Sequence, residues 1–150
     1  MGSSGEAEAK ETPTFKNTEE LLRYLYADLT RLSQVASPDI ILHPFDDPSA
    51  PLHGIAAAQA HEEALIAASG GTLVMDVETI EADSQFGVVL GMMRGRTLDL
   101  EDIAVSFLGL WRFVDGKPVE HWEHTAEHNE EAINRFKAAR EAFWNCQLEA

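Results

Sequence analysis

After Gly70-Gly71 the apolar residues of this 150-residue chain stop recurring at helical spacing and begin to alternate with polar ones. Three such stretches follow one another, "TLVMDVETIEA", "QFGVVLGMMRGR" and "IAVSFLGLWRF", rich in β-branched and aromatic residues and parted by Ala82-Asp83-Ser84 and the acidic "DLED". A period of two predicts strands. Asp115-Gly116 in "VDGKP" supplies a turn, after which "VEHWEHT" returns antiparallel to the strand before it. A four-strand meander therefore occupies the second half of the chain.

The first half reads differently. Residues 1–16 are small, polar and acidic with no apolar period, and form an expected flexible leader to a single domain over 17–150. Asn17 followed by Glu20 has the form of a helix cap, and Leu21, Leu25, Leu29 and Leu32 then recur at helical spacing to about Val35. Ile40, Ile41 and Leu42 make a brief buried strand before the breaks at Pro44 and Pro48. Gly54 opens "IAAAQAHEEALIAAS", an alanine- and leucine-rich helix that Gly70-Gly71 stops. Ile133, Phe136, Ala139, Phe143 and Trp144 give an apolar stripe to an additional C-terminal helix over 126–148. Helices segregated from a mostly antiparallel sheet indicate an α+β fold.

Charge narrows the partners. Twenty-six acidic residues against 11 basic ones give a formal charge of -15, which repels nucleic acid and anionic membrane surfaces. No apolar run approaches the roughly 20 residues that span a bilayer, and there is no secretory pattern at the N-terminus, so a cytoplasmic location is expected. The single cysteine, Cys146, cannot form an internal disulfide and reads as a bystander.

"VEHWEHTAEHN" holds three histidines and three glutamates in eleven residues. On a strand Val119, His121, Glu123 and Thr125 face one way, and Glu120, Trp122 and His124 the other. His121 and His124 therefore cannot ligate one metal from a regular strand, and no metal is expected there. Trp122 reads as core or dimer surface, and His53, His61, His124 and His128 as solvated or capping residues.

Three stretches carry a resemblance to a known family: "SPDIILHPFDD" with "PLHGIAAA", the hairpin "LWRFVDGKPVEHWEH", and the order of elements between them. Together, over about 18–125, they resemble the SnoaL-like polyketide cyclase branch of the nuclear transport factor two-like superfamily. The resemblance implies a curved sheet wrapped around the N-terminal helices to form a cone, with an apolar pocket inside and a homodimer contact on the outer face. In such proteins the pocket-lining positions match Phe107, Gly109, Trp111 and Phe113 on one strand and His121 and Glu123 on the next. The bulky apolar set suits a greasy cavity, and the His and Glu would be its few polar groups.

His43, before Pro44, resembles the position where relatives keep a catalytic base. His43 and His121 are thus the expected proton-transfer pair, with Glu123 orienting or charging one of them. Tyr24 or Tyr26, on the first helix, would donate to a substrate carbonyl. Gly109 stands where a ketosteroid isomerase keeps its second acid, so that donor is missing. The implied activity is cofactor-independent removal of a proton beside a carbonyl of a small apolar molecule, polyketide- or terpenoid-like, leading to aldol cyclisation, isomerisation or dehydration. The other reading is a non-catalytic small-molecule-binding or dimerisation module of the same fold.

Overall fold

The computed structural model describes residues 12–97 and 100–125. The expected helix over 126–148 and Cys146 lie outside the described residues.

Helix α1, Thr18–Ala27, starts where expected: Glu20 N–H donates to Asn17 Oδ1 at 2.9 Å. It buries Leu21, Leu22, Leu25 and Tyr26, each large aliphatic contributing about 1.5–3 kcal/mol by leaving water. A 3-10 turn over Leu29–Arg31 and a short helix α2, Leu32–Val35, continue the apolar stripe through Leu29, Leu32 and Val35. Strand β1, Ile41–His43, pairs with a two-residue strand β2, Leu52–His53, and helix α3 then runs over Ile55–Ala68. Four long strands follow: β3, Val74–Ala82; β4, Phe86–Arg96; β5, Asp102–Val114; and β6, Lys117–Thr125. No helix among the described residues is long and apolar enough to cross a membrane.

The six strands form one curved, unclosed sheet in the order β2-β1-β6-β5-β4-β3. The meander is antiparallel throughout, as its turns require, while β1 lies parallel to β6 at the sheet's other end. Curvature has a local cause. The β3–β4 register shifts between Val77 and Thr79, opposite Gly91, where a Cβ would collide with the Asp76 carbonyl oxygen. Glycine lets the backbones close up there and the sheet bend.

Alternation along β5 sends Ile103, Val105, Phe107, Trp111 and Phe113 to the concave face, where they meet the α1 leucines, Ile40 and Leu42 in one core. β6 keeps that alternation where it matters: Gly109 pairs with Glu123 and Trp111 with His121, so both polar side chains of β6 share the concave face.

Candidate active site

The concave face encloses a cavity between α1, α3 and the sheet, lined by Tyr26, Phe45, Phe107, Trp111 and the side chains of Met75 and Met93, among others. Its free volume is about 30 Å³, room for roughly two water molecules. Glu62, His121 and Glu123 line it, and His61 stands behind them, bonded to Glu123. His121 and Glu123 come from β6, as the sequence predicts; His61 and Glu62 come from α3, which it does not. His61, expected to be solvated, is instead fully buried.

The correction has a simple geometric reason. Ala58, His61, Glu62 and Leu65 are the i, i+3, i+4 and i+7 positions of α3, and all four are buried. The stripe that faces the sheet carries the polar pair.

Glu123 is the hub. His61 Nε2–H donates to its Oε1 at 2.8 Å, and the Phe45 backbone N–H donates to the same oxygen at 3.2 Å. Its Oε2 lies 3.8 Å from His121 Nε2. Burial pushes the Glu123 carboxyl up, but the electrostatic pull and hydrogen bond of His61, with His121 and the Phe45 N–H, outweigh it and hold the group well below the usual carboxylate range. Glu62 goes the other way: burial, then the negative charge of Glu123 and the hydrogen bond between the two carboxyls, raise it well above its ordinary value. The two carboxyls are thus pushed apart, Glu62 toward its neutral form and Glu123 toward its ionised one, the division expected when two carboxyls occupy one buried site.

His121 is sandwiched. Its ring stacks on Trp111 at 3.6 Å between centroids, and its Nδ1–H donates to the Leu110 carbonyl at 3.0 Å. That bond fixes the tautomer, leaving the Nε2 lone pair toward Glu123. Burial lowers its pKa to about 4, against the opposing pull of Glu123. The imidazole is therefore neutral near neutral pH.

Tyr26 completes the wall. Trp111 Nε1–H donates to its hydroxyl oxygen at 3.0 Å, and its ring stacks on Phe107 at 5.7 Å. Burial raises its pKa far above the ordinary value, so the phenol stays protonated with a hydrogen to give. Gly109 makes room for it: a Cβ there would strike the Tyr26 hydroxyl and come within 3.2 Å of His121 Cε1 and 3.3 Å of Trp111 Nε1. Gly109→Ala is expected to expel that hydroxyl, break the Trp111 bond and cost about 1–3 kcal/mol in urea unfolding. Wild-type stability in that variant would show that the cavity tolerates the methyl group.

The other expected site residues lie elsewhere. His43 pairs with Trp122 across the β1–β6 register, on the convex face, so it does not join His121. It stacks on Trp122 at 5.2 Å, and its Nε2–H donates to Glu120 Oε2 at 2.7 Å, while Arg112 holds Oε1 of the same carboxylate at 3.2 Å. Tyr24 is turned from the cavity: its hydroxyl donates to Gln34, and Arg31 lies over its ring at 4.2 Å. Phe113 is on the concave face but packs into the core beside Gly87 rather than lining the cavity. Phe107, Gly109 and Trp111 do line it. His124 is exposed at its rim and His53 is exposed, as expected, while His128 lies outside the described residues.

Residues 23–121 match the family model of the SnoaL-like domain. The chain belongs to that family. No curated protein matches it significantly. Solved structures share the SnoaL-like architecture at low identity. A candidate SnoaL-like polyketide cyclase from Jannaschia sp. CCS1 is similar with a TM-score of 0.66 and 15% identity, over 82% of this chain and 94% of that one. A protein of unknown function with a cystatin-like fold from Xanthomonas campestris gives 0.64 and 21%, over 78% and 96%. IdmH, a candidate polyketide cyclase from Streptomyces antibioticus, gives 0.63 and 18%, over 77% and 96%. At such identity the likeness speaks for the fold alone.

Proposed function

We propose that this chain is an acid–base enzyme that removes a proton beside a carbonyl of a small, mostly apolar molecule, leading to aldol cyclisation, isomerisation or loss of water. One observation carries the reading: a neutral imidazole, an ionised carboxylate and a protonated carboxyl converge on a cavity whose remaining walls are almost wholly apolar. His121 Nε2 takes the proton from the carbon, and the C–H electrons move into the carbonyl to give an enolate. Glu123, 3.8 Å away, stabilises the imidazolium that forms. Glu62 and Tyr26 supply O–H donors to the developing oxyanion. Glu62 thereby takes the place beside His121 first expected of His43, the other half of the proton-transfer pair. A ring-sized guest has to displace wall side chains, and Met75 and Met93, unbranched and adaptable, suit that.

The test is proton exchange. Small apolar ketones and β-diketones in D2O with EDTA are expected to lose their α-protons faster with the protein than in buffer, by NMR. His121→Asn should slow this by about 10²-fold or more, whereas His43→Asn should leave it within about twofold. Saturable binding of such ketones with no exchange above buffer would overturn the proposal and leave a binding module, the reading that the small apolar-walled cavity also favours.

A further inference from the structure

His61, Glu62 and Glu123 each offer a donor atom, all within 4.8 Å of one another, and all three sit in the protein's interior rather than on its surface. Ligands of an ion bound at about 2.1 Å are about 3.4 Å apart in a tetrahedral site, and about 3 Å (adjacent) or 4.2 Å (opposite) in an octahedral one. His61 Nε2 and Glu123 Oε1 already stand at 2.8 Å, so small rotations of the carboxyls would close the set. His121 stands beside this set and could supply a fourth donor by moving toward it. With its Nδ1–H tied to the Leu110 carbonyl, its Nε2 lone pair faces Glu123 Oε2 across 3.8 Å.

Two acceptors facing each other across a dry gap repel unless a proton or a cation lies between them. An imidazole anchored through its other nitrogen on a backbone carbonyl is also the arrangement that orients metal-ligating histidines. The described residues lining the cavity include no Lys or Arg to balance a second carboxylate. His61 Nδ1 is buried with no hydrogen-bond partner, so it is free to take the proton that Nε2 would surrender.

We propose that His61, Glu62 and Glu123, joined by His121, bind one divalent transition-metal ion. Two imidazole nitrogens and two carboxylate oxygens suit zinc, cobalt, iron(II) or manganese; calcium and magnesium favour all-oxygen sites. The histidines of β6 alone give no such site. Helix α3 supplies what they lack. The inference does not depend on the acid–base reading, because a chain that exchanges no ketone proton can still hold the ion.

The full chain, stripped with EDTA and dialysed, is titrated with zinc chloride by calorimetry and with cobalt chloride by visible absorption. One ion per chain is expected, with ligand-field bands for cobalt. Affinity should fall at least about tenfold in Glu62→Gln and His61→Asn, and stay within about twofold in Glu120→Gln on the convex face. Glu62→Gln is nearly isosteric, and it carries the comparison should His61→Asn not fold. Absence of saturable binding by either metal, or binding that Glu62→Gln leaves unchanged, would overturn the proposal. Ketone exchange is measured in EDTA, so the two proposals fail separately.

Discussion

Glu123→Ala is expected to cost about 2–5 kcal/mol of folding stability, because two buried donors are left without their acceptor at about 1–3 kcal/mol each. The reason is local. His61 Nε2–H and the Phe45 N–H lose their shared acceptor, and His61, fully buried with Nδ1 already unpartnered, is left with no hydrogen bond. Glu123→Gln keeps an acceptor oxygen and the shape, so its cost should be about 1–2 kcal/mol. Urea unfolding of the two variants beside wild type measures both. If alanine costs no more than glutamine, the hydrogen bonds at Glu123 contribute little and the hub is a hub in geometry only.

The second large effect appears only as pH varies. His121, ordinarily near 6.5, is lowered by burial to about 4 in the fold. Between those values the unfolded chain binds the proton and the folded one does not, so this group removes stability as pH falls from 6.5 to 4. Glu62 has the opposite sign. Burial and the Glu123 charge raise it well above 4.5, so as pH rises past 4.5 the unfolded chain loses a proton that the folded chain keeps, and stability falls. Glu123, held below its ordinary value, removes stability only when pH falls below 4.5.

Between pH 4.5 and 6.5 the His121 and Glu62 contributions therefore oppose each other. Glu62→Gln deletes one of them. In EDTA-containing buffer the stability of that variant relative to wild type should rise across this window by up to about 3 kcal/mol, at 1.36 kcal/mol per pH unit. Taking the difference between two chains cancels the many surface carboxylates. Parallel curves for the two proteins would mean that Glu62 is ionised in the fold.

Much of this arrangement is legible in residue order. The period of two on β5 and β6 places Phe107, Gly109, Trp111, His121 and Glu123 on one face, because strand alternation is local and needs no knowledge of partners. Three things were hidden. His61 and Glu62 lie on the buried stripe of α3, but hydrophobic patterning looks for apolar residues and reads a His-Glu pair as solvated; the signal was their i+3 and i+4 spacing from Ala58. His43 sits in a strand of three residues, too short to show a period, and only its alignment with Trp122 decides that it faces outward. Tyr24 and Tyr26 are two apart on a helix and so point in different directions, yet the sequence offers no way to choose between them. Tyr26 is chosen by the space above Gly109.

The two faces of β6 carry separate polar arrangements: Glu120 with Arg112 and His43 outside, His121 and Glu123 with His61 and Glu62 inside. A slip of one residue against β5 would turn Glu120 and Trp122 inward and strand His61 and Glu62 among hydrocarbon without their partners. The hairpin is thus keyed like a lock with wards on both sides. Misaligned pairings forfeit both sets of contacts at once, so groups that look costly in a core also guard the chain against folding one step out of place.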